Sequence, residues 1–298
     1  MPLSLGFAQQ PNSSVERARL FQTTPGSTNS VVNADGMALP IDESDTSSDD
    51  SFGTQVILTK RERVPTIVVA GDASIYYTNN AALTPNHKID DAFVVTNAGI
   101  SWTPRINPEL EAQVSAHASI FRYVSTSVLD FENLGLGGAL FWSPKNFHDI
   151  AFFARYDLSE LLDRHSNEIL QDHEFSVGAQ KFFPIGKKQS FTLGVTAGAG
   201  VADPSSQERQ QIAIFASYHW QLTKALDAEV SGRLAGYFYN RADRADGNGV
   251  VSANLRYRVS RYADLNGFVS FGGNRSDTRG FSYNAVTAGG GVAFSVRF

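Results

Sequence analysis

The chain has 298 residues, 42% hydrophobic and 18% charged, with 25 Gly, 21 Phe, 10 Tyr, 3 Trp, no Cys and a net charge of −5. Soluble domains average roughly 45–50% apolar and about 25% charged residues, so this composition is low in both classes at once. The acidic balance argues against a nucleic-acid footprint, which needs a basic patch; the absence of Cys excludes disulfide scaffolds, thiolate metal sites and thiol nucleophiles; and no window approaches the roughly 18 uninterrupted apolar residues of a membrane helix.

At the start of the chain, Gly6, Phe7 and Ala8 before Gln9 have the small-residue character of the end of a cleaved secretory signal, with residues 1–8 as its remnant. A plain unstructured tail is the competing explanation. From Gln9 to about Arg63 the sequence is rich in Ser, Thr, Asn, Asp and Gly, and Asp42, Glu43, Asp45, Asp49 and Asp50 cluster in one short stretch. Such a segment buries too little apolar surface to order itself. Residues 1–63 are therefore expected to be a flexible, polar and acidic N-terminal segment, and residues 64–298 the folded unit.

From Thr66 onward the pattern becomes strict alternation, the period of a strand. Leu110, Ala112, Val114, Ala116, Ala118 and Ile120 alternate with Glu111, Gln113, Ser115, His117 and Ser119. In a helix, apolar residues two apart would scatter over every face. Twelve such segments are counted, centred near Ala70, Asn97, Ser115, Gly137, Phe153, Gly178, Thr196, Phe215, Ser231, Asn254, Val269 and Gly291. Tight turns with Pro or Lys follow the even segments, as at Ser143-Pro144-Lys145 and Pro184-Ile185-Gly186-Lys187. Longer polar stretches follow the odd ones: residues 79–91, 159–172, 203–210, 240–249 and 274–282 are expected to be loops. Trp102, Trp142, Phe183, Trp220 and Tyr257 sit just before the tight turns, at one level, where a membrane–water interface favours amphipathic rings. A second girdle is expected at the other end from Tyr76, Tyr77, Phe121, Tyr123, Phe238 and Tyr239.

Twelve alternating hairpin strands fit either a soluble sandwich or barrel or a membrane barrel. The polar partner face is mostly Ser, Thr, Gly, Asn and Gln with few Lys, which suits a hydrated interior. In lipid only a closed barrel leaves no unsatisfied strand edge. The expected fold is all-β: a closed, antiparallel, up-and-down transmembrane barrel of about twelve strands. The C-terminal stretch Gly290 to Phe298, with Phe294, Val296 and Phe298 at every second position, resembles the last strand of Gram-negative outer-membrane β-barrel proteins. That resemblance implies a bacterial outer-membrane location in a lipid bilayer, and a terminal signal read by the barrel-assembly machinery.

With the apolar set facing lipid, the interior is lined by Glu111, Asp157 and Glu229 among the acids and Arg155, Arg233, Arg256, Arg258 and Arg297 among the bases. These are either a charge network that rigidifies the barrel or a selectivity lining. Antiparallel register sets His219 close to Asp227, and Glu229 and Arg258 lie on neighbouring strands. Gly194, Gly198, Ser115 and Ser119 are expected to leave lumen space. His165-Ser166-Asn167 resembles, with altered spacing, a segment of outer-membrane phospholipase A, but adjacent residues do not make a serine and its base. His165 and His173 with neighbouring acids are the only metal-like grouping, too loose to name a metal. The sequence thus points to a porin-like channel for passive diffusion of small hydrophilic solutes, with no catalytic residue, cofactor, metal or nucleic-acid partner. The acidic N-terminal segment is expected to plug the lumen against its arginines. A docking barrel that binds a partner through its loops or N-terminal tail is the alternative, and a lipid hydrolase ranks third.

Overall fold

The computed structural model describes residues 10–23 and 66–298, apart from residue 148. One helix, α1 (Gln10–Thr23), precedes twelve long strands. These are β1 (Ile67–Thr78), β2 (Asp91–Trp102), β3 (Leu110–Tyr123), β4 (Phe131–Trp142), β5 (Ile150–Asp163) and β6 (Glu168–Pro184), then β7 (Gln189–Asp203), β8 (Arg209–Gln221), β9 (Leu226–Tyr239), β10 (Arg244–Arg258), β11 (Ala263–Ser276) and β12 (Tyr283–Arg297). A short strand, Arg105–Asn107, decorates the β2–β3 turn. Each long strand pairs antiparallel with its sequence neighbour, and β12 pairs back onto β1, with Gly71 opposite Phe294 and Val69 opposite Val296. The sheet is therefore a closed barrel, as the alternation predicts.

The side-chain period of two divides every strand between an outer and an inner face. Outward residues are large, apolar and open: Ile75 is 65% exposed, Leu234 61% and Val177 59%. An apolar exterior of this extent, wrapped round a closed sheet with every ladder paired, is stable only in a hydrocarbon solvent. No helix of the described residues is long and apolar enough to cross a membrane, so the strands do the crossing. Phe294, Val296 and Phe298, the residues of the expected terminal signal, lie on this outer face. The carbonyl of Phe298 accepts hydrogen bonds from the amides of Thr66 (2.9 Å) and Ile67 (3.2 Å), tying the chain end to the start of β1.

One expectation is corrected by the hairpins. Residues 159–172 are not a loop: β5 runs to Asp163, β6 starts at Glu168, and the turn is residues 164–167 alone. The stretch 240–249 likewise reduces to residues 240–243 between β9 and β10. A transmembrane strand needs roughly 9–11 residues, whereas β6 has 17 and β5 14. The surplus extends past the apolar belt, where a hairpin keeps its backbone ladder although its side chains are polar. Residues 79–90, 124–130 and 277–282 gather at one end of the barrel, its loop end, and the opposite end is its turn end.

Part of the N-terminal segment is described. Its residues 10–23 are helical, and Ser14, Val15, Arg17, Ala18, Arg19, Leu20 and Phe21 are all buried. The acidic run from Asp42 to Asp50 and the signal-like residues 1–8 lie outside the described residues.

Candidate functional site

Helix α1 lies inside the loop end of the barrel. Short isolated helices are marginal in water, and this one is held by what surrounds it. On one side Val15, Ala18 and Phe21 pack into an apolar cluster with Tyr76, Phe93, Phe121, Tyr123, Leu129, Phe131, Leu161 and Leu170. The Phe21 ring meets three rings edge-on: Tyr76 at 5.4 Å, Phe93 at 5.7 Å and Phe121 at 5.3 Å between centroids, with interplanar angles of 79–80°. Edge-to-face geometry sets the positive ring edge against a negative face. Leu20 sits over Gly272, where a Cβ would lie 2.9 Å from Leu20 Cδ1, so a larger residue there would push the Leu20 side chain aside.

These contacts revise the second aromatic girdle. Tyr77 and Phe238 do point outward, at 53% and 50% exposure, but Tyr76, Phe121, Tyr123 and Tyr239 point inward and are buried. Neighbouring residues in a strand cannot share a face, so Tyr76 and Tyr77 had to part. At the turn end, Trp102, Trp142, Phe183, Trp220 and Tyr257 are all outward and open.

The other side of α1 is polar. Ser13 Oγ donates to the Ala82 carbonyl (2.9 Å), and Arg17 Nη2 donates to the carbonyls of Asn80 (2.6 Å) and Ala81 (3.0 Å). Arg19 Nη1 donates to Gln207 Oε1 (3.0 Å) and to the Tyr239 hydroxyl (3.2 Å), and Arg19 lies 3.5 Å from Glu16 and 3.9 Å from Asp172. Arg209 bridges Asp172 and Glu174, at 2.6 Å to each, and Gln211 donates to Glu174. Glu16 reaches Arg244 at 3.7 Å, and Arg244 pairs with Asp246 at 3.2 Å. The Arg244 guanidinium is sandwiched between Tyr239 (3.8 Å) and Phe281 (3.9 Å). One continuous charge network therefore runs from Glu174 on β6 through the helix to Asp246 on β10. Buried charges persist when paired in this way, and the helix supplies Glu16 and Arg19 as its central links.

Toward the turn end, the sequence-predicted lining residues lie on strands at inward-facing positions of the alternation. Arg155 pairs with Asp157 (Nη2 to Oδ1, 2.7 Å). Asp227 is flanked by His219 at 3.4 Å, the neighbour its register predicts, and by Arg256 at 3.2 Å. Glu229 stands opposite His219 on β8 and Asn254 on β10, while Arg258 stands opposite Asp264 on β11. The register thus sets Arg256, not Arg258, beside the acids of β9. Glu111 is held at the turn-end rim by Arg105 (2.8 Å), Arg233 is buried with Nη1 donating to the Tyr237 hydroxyl (2.9 Å), and Arg258 and Arg297 are exposed.

Gly194 does not leave empty space: a Cβ there would fall 2.1 Å from Cζ of Phe215, whose ring lies across it. The sequence misses the inward aromatics, which are filler rather than interface. In the hairpin at residues 164–167, Asp163 Oδ1 accepts from the amides of His165 (2.7 Å) and Asn167 (2.9 Å), and Ser166 has φ +64°. His165-Ser166-Asn167 is thus a turn organised by Asp163. His173 faces outward and bonds the Tyr156 hydroxyl through Nδ1 (2.8 Å), whereas Asp172 and Glu174 face inward to Arg209. Alternation splits that loose metal-like grouping between two faces of the sheet.

No protein-family model and no curated protein matches the sequence. Among solved structures, an outer membrane channel from Pseudomonas putida F1 is similar over 82% of this chain and 100% of its own, with 11% identity and a TM-score of 0.48. An anion-selective porin from Comamonas acidovorans is similar over 78% of this chain and 99% of its own, with 8% identity and a TM-score of 0.41. The translocator domain of the autotransporter NalP from Neisseria meningitidis is similar over 78% and 90%, with 6% identity and a TM-score of 0.43. A closed barrel of an even number of antiparallel strands, apolar outside and polar within, is the bacterial outer-membrane architecture, and this chain is an outer-membrane β-barrel.

Proposed function

We propose that the barrel is a passive diffusion channel for small hydrophilic solutes whose loop-end mouth is closed by α1. The observation that carries this reading is the contrast between the two ends of the lumen. Around α1 the lining is solidly packed, with Phe93 and Phe131 at 0% and Tyr76 at 2% exposure. Toward the turn end the lining is charged in both signs, and the side chains of Asp157, His219 and Arg256 keep 28%, 35% and 32% of their surface open. Water-filled lumens lined by charge select solutes by size and field, and a detachable element inside the mouth sets whether they pass.

Conduction in planar bilayers tests the proposal. The full chain is expected to be closed, and a variant lacking residues 10–23 to give unitary current steps, with ion preference altered by Arg256→Gln. A folded deletion variant that gives no steps overturns the channel. The packed mouth then favours the alternative, a sealed barrel that docks a partner.

A further inference from the structure

We propose that the turn end of the barrel is a docking surface for anionic phospholipid, whose headgroups are held by the exposed bases of the turns. The proposal rests on where charge lies outside the lumen and does not depend on conduction.

The five turns that follow β2, β4, β6, β8 and β10 each carry a base: Arg105, Lys145, Lys187 with Lys188, Lys224 and Arg261. All of these side chains are exposed. Each turn's first base stands three or four residues after an outward ring, Trp102, Trp142, Phe183, Trp220 or Tyr257. The same turns hold two acids, Glu109 and Asp149. Arg105 is met by Glu111, but Lys145, Lys187, Lys188, Lys224 and Arg261 pair with no acid among the described residues. Of the described lysines only Lys88 lies at the loop end. The connections there carry both signs, with Arg241 against Glu208 at 3.2 Å. The two ends of the barrel therefore differ in charge as well as in packing.

Height and direction set these bases against lipid. Lys181 shares the outward parity of Phe183 and holds its ammonium 5.2 Å from that ring's centre, and the Arg261 guanidinium lies 4.5 Å from the centre of Tyr262. Rings of this kind occupy the membrane–water interface, so a cation stacked on one stands at the height of lipid phosphates. Three or four residues reach at most about 10–14 Å when extended and less when folded into a turn, which keeps the other turn bases beside the headgroups. A base near an anionic membrane surface strengthens attachment about fivefold. An acidic partner protein would need one contiguous patch. Here the bases are shared out among the turns round the rim, the geometry that suits a collar of lipid.

The chain's three tryptophans, Trp102, Trp142 and Trp220, all open outward at this end, so their fluorescence reports the lipid beside the turns. The full chain is refolded into vesicles of phosphatidylcholine mixed with phosphatidylglycerol, with the quenching bromines carried on the acyl chains of one lipid or of the other. Brominated phosphatidylglycerol is expected to quench as though enriched about fivefold beside the tryptophans, the effect of one surface base. Added salt should bring the two lipids toward parity. The variant Lys145→Gln/Lys187→Gln/Lys188→Gln/Lys224→Gln, checked for folding by its heat-modifiable gel mobility, should lose most of the enrichment, whereas Lys88→Gln/Arg279→Gln at the loop end should keep it. Equal quenching by the two lipids in the unaltered chain overturns the proposal. So does an enrichment that neither salt nor the turn-end substitutions reduce, or one that the loop-end substitutions reduce as much. Should the turn-end variant fail to fold, the salt titration of the unaltered chain decides.

Discussion

Replacing Phe21 by Ala removes the aromatic anchor of α1 while leaving its charge network in place. Phe21 is 5% exposed and makes three edge-on ring contacts at 5.3–5.7 Å. Truncating a packed Phe to Ala costs roughly 3–5 kcal/mol. Since every 1.4 kcal/mol is a factor of about ten, the ratio of docked to undocked helix is expected to fall between about one hundred and several thousand-fold. Ala18, 3% exposed in the same cluster, reports it: in an Ala18→Cys background the thiol reacts only when the helix leaves its seat. Labelling by a soluble maleimide should accelerate in Ala18→Cys/Phe21→Ala by the factor above, and Phe21→Leu should fall between. A rate within threefold of the parent, in a barrel that still shows its heat-modifiable gel shift, would refute the idea that this ring holds the helix.

Arg209→Gln takes from Asp172 and Glu174 the guanidinium that lies 2.6 Å from each, leaving them Arg19 at 3.9 Å and the Gln211 amide respectively. Losing one partner of a buried pair costs about 3–5 kcal/mol, so the thermal unfolding midpoint of the barrel should drop clearly, and an unchanged midpoint would mean the network contributes no stability. Gly194→Val places side-chain atoms where the Phe215 ring lies, the nearest at 2.1 Å from its Cβ, and should sharply reduce folded yield; adding Phe215→Ala should recover much of it. Leu234→Arg, at a lipid-facing position 61% exposed, should cost roughly 2–4 kcal/mol of folding free energy near the bilayer midplane, measured by urea titration of refolding into vesicles. A soluble protein would tolerate that change at an exposed site, so equal stability would contradict the membrane face.

Residue parity was the most legible property. Arg155, Asp157, Glu229, Arg233 and Arg256 could be placed inside from the alternation alone, because closure gives every strand the same two environments. The height at which a strand stops was not legible. Glu160, Asp163, Glu168 and Gln171 look like loop, yet belong to β5 and β6 or flank their short turn, since backbone pairing above the membrane is indifferent to side-chain polarity. Aromatic identity misled in the same way: Tyr76 and Tyr239 carry the composition of an interface but the parity of a core. Helix α1 was hidden because its start, Gln-Pro-Asn-Ser-Ser, is that of a loop and its stability is tertiary. One signal was available. Val15, Ala18 and Phe21 recur at intervals of three, and Glu16 and Arg19 form a pair of the same spacing, the pattern of a single helical turn repeated.

The seam between β12 and β1 joins residues at opposite ends of the sheet, with Val68 registered on Arg297, and it uses the last residue of the chain as its closing bond. Such a contact spans the largest sequence separation of any strand pair in the sheet, and so carries its largest loop-closure cost. Until it forms, the sheet is an open trough. Helix α1 touches β1, β2 and β3 on one flank of that seam and β11 on the other, so its seat is complete only once the seam has closed.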